Sequence, residues 1–339
     1  MRNMEKTVTI GNKKVGEEFP TFIVAEAGLN HNGRLKLAKE LVQKAVEVNA
    51  DAIKFQTYVT EDFISRTSPE FKLFKKYELS FEEFGELFDL AKHLGIIFFS
   101  TPLDLGSADF LEKLSVSAFK IASGDITDLP FIEHLSKKGK PIILSTGMAT
   151  FEEVNEAVKV VNSTGNKQLV LLHCIATYPA SVKEANLRAI ASLKQAFDVP
   201  VGFSDHTLSG LTPIVAVAMG ASVIEKHFTL DRGLSGPDHT CSFDIKQFKS
   251  MVSNIREAES MFGLSIKKPT EAELSIITCG RRSIVAKKPI KSGMRLSADM
   301  LTTKRPGEGI APKDISLVLG KCAKVDINPD EILTWDKLQ

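Results

Sequence analysis

No uninterrupted apolar stretch in this chain approaches the roughly 20 residues needed to cross a bilayer, so a soluble protein is expected. An excess of charge of one sign is missing too: 43 Lys and Arg against 42 Asp and Glu leave a formal net charge of +1. That balance gives no field strong enough to recruit nucleic acid or an anionic membrane, so any anionic partner must be held locally. Cysteine is sparse, and Cys174, Cys241, Cys279 and Cys322 lie far apart with no CxxC spacing. The first residues, Met1-Arg2-Asn3-Met4-Glu5-Lys6, lack the apolar segment of a secretion signal. Both features predict a cytoplasmic protein with free thiols. A GxGxxG turn is also absent after the first apolar run, where Ala25-Glu26-Ala27-Gly28-Leu29-Asn30 stands instead. An open dinucleotide-binding sheet therefore loses its main signal.

What the chain does have is a repeated alternation. Short runs rich in Val, Ile and Phe recur at 21–28, 50–57, 95–102, 118–125, 141–148, 169–175, 199–206 and 222–229, and they read as buried parallel strands. Helical-period segments separate them, clearest at 35–48, 81–94, 151–161, 187–197, 211–219 and 245–261, several preceded by Thr, Ser or Asp in capping positions. About eight alternations within about 260 residues predict an α/β fold, a closed (β/α)₈ TIM barrel, over residues 1–262. Residues 263–279 read as a linker. From 280 to 339 come short β-like pieces (SIVA, KVDI, ILTW) broken by Pro and Gly, the texture of a small turn-rich domain. Roughly 60 residues make a marginal core, so this tail is expected to dock on something, a second copy of the chain being one candidate.

In a (β/α)₈ enzyme the chemistry sits at the carboxyl ends of the strands, and polar residues collect there. In order they are Glu26, Lys54 with Gln56, Ser100 with Thr101, Lys120 with Ser123 and Asp125, Ser145 with Thr146, His173, Ser204 with His206, and Glu225 with His227. Residues i and i+2 of a strand share a face, so Ser204 with His206 and Glu225 with His227 can look into one cavity. Two neutral imidazoles start a divalent-metal site that suits Mn²⁺, Fe²⁺, Co²⁺ or Zn²⁺ better than Ca²⁺. Lys54 and Lys120 stand among Ile, Phe and Ala, where an ammonium is costly unless an anion pairs with it. That anion is either a phosphorylated or carboxylated ligand, or an internal carboxylate of Glu26, Asp125 or Glu225. Hydroxyls of Thr101, Ser123, Ser145 and Ser204 add charge-assisted bonds for such a ligand, although Ser and Thr also cap the helices that follow. Asp238, at the tip of the loop after the last strand, either binds sugar hydroxyls or ends a Pro turn. Asn30-His31-Asn32-Gly33 is a polar turn of open orientation, and His173, in an apolar run, reads as a satisfied core histidine.

These residues together resemble the N-acylneuraminate (sialic acid) synthase family, which includes legionaminate and pseudaminate synthases and spore-coat polysaccharide proteins. The carriers are AEAGLNHNG at 25–33, IKFQTY at 53–58, FFSTPLD at 98–104, FKIASGD at 119–125, LSTGMA at 144–149, the YP step at 178–179, GFSDHT at 202–207, EKHFTLDR at 225–232 and GPDH at 236–239. The tail is similar to that family's SAF (antifreeze-like) domain. The resemblance implies condensation of phosphoenolpyruvate with an N-acylated hexosamine, typically N-acetylmannosamine, and release of phosphate. It also implies a divalent metal, usually Mn²⁺, with Mg²⁺ or Co²⁺ as alternatives. Carried over, His206 and His227 hold the metal, and Lys54, Thr101, Lys120, Ser123, Ser145 and Ser204 hold phosphoenolpyruvate. Gln56, Tyr178 and Asp238 face the sugar. Arg305 reaches the sugar in a partner's barrel, within a domain-swapped homodimer. Ala176 and Thr240-Cys241-Ser242-Phe243 depart from the family's usual residues and bear on which sugar is taken.

The expected mechanism has the metal polarise the sugar aldehyde, carbon 3 of the enol attack it, and water add at carbon 2. Glu26, Glu225 or Asp125 takes the water's proton, while Lys54 and Lys120 steady the phosphate and carboxylate charges. The rivals are a phosphoenolpyruvate-condensing barrel that makes a heptulosonate or octulosonate, a Schiff-base aldolase acting through Lys54 or Lys120, and an inert barrel carrying a carbohydrate- or ice-binding tail.

Overall fold

The structure, a computed structural model, describes residues 4–339. Two compact units divide the chain, Met1–Phe262 and Gly263–Gln339. In the first, eight parallel strands close into a barrel: β1 (Phe22–Glu26), β2 (Ala52–Thr57), β3 (Ile97–Pro102), β4 (Phe119–Ile121), β5 (Ile142–Ser145), β6 (Leu169–Cys174), β7 (Val201–Asp205) and β8 (Val223–His227). Each strand pairs with the next, and β8 returns to β1 with His227 opposite Glu26. The fold is the expected TIM barrel.

Alternation along each strand builds two cores. Outward residues such as Ile23, Ile53, Phe55, Phe98, Leu144, Leu171, Phe203 and Ile224 pack with helix residues including Leu41, Leu87, Ile190 and Met251. Phe55 stacks on Phe98 at 5.7 Å and meets Phe84 edge-on at 6.3 Å. The inward residues change character along the barrel axis. Phe22 and Val24 give way to Glu26, Ala52 to Lys54 and Gln56, Phe99 to Thr101, Ile143 to Ser145, and Val223 to Glu225 and His227, each at a spacing of two.

The apolar end of this interior is sealed by a hairpin that sequence patterning does not reveal. Strands Val8–Ile10 and Lys13–Val15 pair antiparallel around Gly11-Asn12. Val8, Ile10 and Val15 are fully buried and form one cluster with Phe22, Val24, Phe99, Val170 and Leu172. The strands are short, and their one apolar face is the signal they offer.

Helices fall where the 3.6-residue period is strong, as at Leu35–Glu47, Phe81–Leu94 and Ile245–Met261, the last two opened by capping boxes at Ser80 and Asp244. Two further crossover helices, Leu105–Lys113 and Leu129–Lys137, are capped by Asp104 and Asp128, which accept the Ser107 and Phe131 backbone N–H groups. Each has nine residues.

In the second unit, Ser283–Ala286 pairs antiparallel with Leu301–Lys304 around a core of Ile284, Ile290, Leu296, Val318 and Leu333. The KVDI and ILTW pieces contribute single bridges, Ile290 with Ile327 and Val285 with Ile332. Gly309 has no room for a Cβ against Ile332 and Leu333, and its N–H donates to Ser283 Oγ at 2.8 Å. That hydroxyl in turn donates to the Pro306 carbonyl at 2.7 Å, which pins the turn bearing exposed Arg305.

Candidate active site

The polar end of the barrel interior is organised around Lys54. Its Nζ lies 3.1 Å from Glu26 Oε2, 3.2 Å from Glu225 Oε1 and 3.3 Å from Thr101 Oγ1, all with buried side chains. Gln56 donates to Glu26 Oε1 at 3.3 Å and Ser204 to Glu225 Oε1 at 3.2 Å. Two carboxylates sharing one ammonium do not ionise alike. Burial raises the Glu26 pKa against the pull of Lys54, and the neighbouring Glu225 charge adds to the rise. Burial also pushes Glu225 upward, but Lys54 and Lys120 outweigh it and hold that carboxyl at about 2. Lys54 keeps its proton: burial opposes the charge, and Glu225 with Glu26 more than offset this. Its charge is thus accounted for by internal carboxylates.

Lys120 differs. Its Nζ donates to Ser145 Oγ at 2.7 Å and to the Ile121 carbonyl at 2.8 Å, and among the described residues no carboxylate lies within ion-pair distance. Burial lowers its pKa to about 8. A cation 2% exposed whose hydrogen-bond partners are all neutral carries a desolvation cost that no ion pair offsets. Ser123 accepts the Gly147 N–H at 3.1 Å, a contact that leaves no space for a side chain at position 147.

Beside these groups His206 and His227 face one another with ring centroids 5.4 Å apart, and half-exposed Tyr178 covers them at 4.1 and 5.6 Å. His206 donates Nδ1–H to the Ile175 carbonyl at 2.7 Å, which leaves the lone pair on Nε2. Burial holds this ring neutral, its pKa down to about 3. Asp238 comes in from the loop after β8, where its Oδ2 accepts the Leu29 N–H at 3.0 Å and stands 3.8 Å from His227 Nδ1. Gly28, at φ +48°, makes this approach possible, since a Cβ there would lie 2.6 Å from Asp238 Oδ2. Asn30, from the turn left open by sequence, donates to Ser242 Oγ and to the Phe228 carbonyl at 2.8 Å, clasping the two loops together. Asp125 lines a groove with Leu103, Asp104 and Phe131, and the Lys120 charge acts on its carboxyl. Burial raises its pKa to about 6, and its Oδ2 has no hydrogen-bond partner. His173 bonds the Ala185 carbonyl at 2.8 Å and packs on Phe203, outside the cavity.

The NeuB family profile matches residues 41–267, and the SAF domain profile matches 281–339. The chain belongs to the NeuB family. The uncharacterized protein MJ1065 of Methanocaldococcus jannaschii is 53% identical over 99% of both chains. N,N'-diacetyllegionaminic acid synthase of Legionella pneumophila is 43% identical, with 97% of this chain and 98% of that one aligned. Among solved structures, the N-acetylneuraminic acid synthetase of Leptospira borgpetersenii, in complex with citrate, superimposes with a TM-score of 0.77 at 36% identity, covering 82% of this chain and 97% of that one.

In this NeuB-family barrel no group of three or more His, Cys, Asp or Glu side chains forms a metal cluster among the described residues. The donors are two imidazoles, and they suit a divalent ion whose other positions go to water or substrate oxygens, the open arrangement of a catalytic site. Two orphaned atoms fit the same need, for His227 Nδ1 and Glu225 Oε2 are buried without hydrogen-bond partners. Sequence inspection missed the pair directly behind the histidines, Lys226 and Asp205, which face outward and are wholly buried. The available signal was a charged residue at an outward core position on each of two neighbouring strands.

Proposed function

We propose that this chain condenses phosphoenolpyruvate with an N-acylated hexosamine and water, giving a nonulosonic (sialic-type) acid and inorganic phosphate. The observation that carries this is Lys120, a buried cation without a carboxylate, beside a Lys54–Glu26–Glu225 cluster that balances its own charge. A ligand bearing both phosphate and carboxylate groups supplies the missing anion. Lys120 and the hydroxyls of Ser123, Ser145, Ser204 and Thr101 hold it, with Lys54 as the second cation.

His206 and His227 are the residues that would hold a divalent ion, with Mn²⁺ first, and such an ion, when bound, polarises the sugar's aldehyde as a Lewis acid. Gln56, Tyr178 and Asp238 orient the open-chain sugar, and Arg305 joins them from a second copy of the chain. Carbon 3 of the enol forms a bond to the aldehyde carbon, whose oxygen takes the proton carried by Glu26 and leaves Glu26 ionised. Water adds at carbon 2 and its first proton passes to that carboxylate; the bond from carbon 2 to the phosphate oxygen then breaks, its electron pair and the second water proton leaving with phosphate as the carbon 2 ketone forms. Glu26 is the carboxylate assigned to that proton, since burial favours its protonated form while Glu225 stays ionised through its pairing with Lys54 and the more distant pull of Lys120. Likeness to the Legionella enzyme favours a diacetamido sugar as the acceptor.

The test is phosphate release from phosphoenolpyruvate, with Mn²⁺ present, over N-acetylmannosamine, bacillosamine-type diacetamido sugars, erythrose 4-phosphate and arabinose 5-phosphate, with mass spectrometry of the product. Turnover with an N-acyl hexosamine supports the proposal; turnover with the aldose phosphates alone overturns it.

A further inference from the structure

The ladder between β7 and β8 ends on a rung that pairs Asp205 with Lys226, one residue before His206 and His227. His206 therefore lies just beyond the end of β7, where its carbonyl accepts the Ala180 N–H at 2.9 Å. Two rungs earlier the outward residues Phe203 and Ile224, paired with each other, are apolar, as a helix-facing surface requires. The last rung breaks this pattern with an ion pair of 2.8 Å whose side chains are both 0% exposed. Such a pair is a poor source of stability, because apolar residues of equal volume do as well without the desolvation cost.

Its contacts point elsewhere. Lys226 Nζ donates to Asp205 Oδ2 and also to the Thr207 carbonyl, so it grips the residues on both sides of His206. Asp205 Oδ1 accepts the Thr207 N–H at 2.8 Å, closing the turn around the imidazole. The same ammonium lies 4.2 Å above the Phe243 ring, and the Phe243 N–H donates to the His227 carbonyl at 2.9 Å. One cation thereby ties together the backbone that carries both imidazoles.

We propose that the Lys226–Asp205 pair is a positioning device that holds His206 and His227 at the separation a divalent ion needs. It touches neither ion nor substrate and acts from the outside of the barrel wall, as outer partners of metal ligands do. This rests on the assignment of the two histidines as metal ligands.

The experiment measures Mn²⁺ affinity by electron paramagnetic resonance of the free ion, without substrates, in the wild-type chain, in His227→Ala and in the double variant Asp205→Leu/Lys226→Met. The double variant is expected to keep the wild-type circular dichroism and unfolding midpoint while binding Mn²⁺ about 10- to 100-fold more weakly. A purely structural role predicts the reverse, a shifted midpoint with unchanged affinity, and that result overturns the proposal. Should the double variant not fold, Lys226→Arg takes its place, keeping the cation while displacing its second contact to Thr207. Folded Lys226→Arg with weakened Mn²⁺ binding supports the proposal, and wild-type affinity overturns it. A wild-type chain that binds no Mn²⁺, or binds it as His227→Ala does, removes the metal assignment and this proposal with it.

Discussion

Replacing Lys120 by methionine separates stability from ligand binding. The ammonium is fully buried, and burial brings its pKa from 10.5 to about 8. That gap corresponds to about 3 kcal/mol by which the fold disfavours the protonated form. A cation held below its unfolded value binds fewer protons when folded. The penalty is therefore in full force below pH 8 and fades as the pH rises toward 10.5. At pH 7 methionine removes it, while loss of the bonds to Ser145 and the Ile121 carbonyl costs about 1–2 kcal/mol. The net gain is about 1–2 kcal/mol, which for a unit of this size raises the unfolding midpoint by about 2–8 °C. Toward pH 10 the advantage shrinks as the wild type sheds its proton. The same substitution deletes a charge-assisted contact worth about 1.5–3 kcal/mol, so kcat/KM for phosphoenolpyruvate falls about 10- to 150-fold. Scanning calorimetry at pH 7 and 10, with steady-state phosphate release, measures both effects. A variant that melts below wild type at pH 7, or keeps kcat/KM within about threefold, refutes the proposed role of Lys120 in holding the substrate's anionic groups.

Lys54→Met has the opposite sign, since it strands Glu26 and Glu225 and costs about 3–5 kcal/mol; a lowered calorimetric midpoint at pH 7 is the expected result. His206→Ala, His227→Ala or chelator treatment of the wild type abolishes phosphate release without changing the far-ultraviolet circular dichroism, and full turnover in chelator with metal absence verified by elemental analysis rejects the metal role. Arg305→Ala raises KM for the sugar at least tenfold and that for phosphoenolpyruvate less than threefold by steady-state kinetics, the split expected of a group paired with one substrate only. In mixed dimers the mutant subunit silences its partner's barrel, and loss confined to its own barrel counts against a crossing arm.

The barrel was legible because each strand is a buried apolar run and its inward face turns polar at one end. Lys54, Glu225 and His227 could be placed in one cavity by counting residues two at a time, and the structure gathers them there. Partner choice was not legible. Lys54 and Lys120 look alike in sequence, yet one is neutralised by Glu26 and Glu225 and the other is not, because neighbours across a closed barrel depend on register. Asp125 is placed by counting along the strand, but the chain turns into a 3₁₀ segment at Ser123–Asp125, where the period of two is lost and the residue also lines a side groove. The Val8–Val15 hairpin escaped for want of length.

That hairpin has a consequence of its own. With Val8, Ile10 and Val15 wedged beneath the strands, the chamber is a blind well with a single rim. Traffic through one rim has an order: a reactant resting low goes in ahead of one that perches above it, and the second arrival works as a cork.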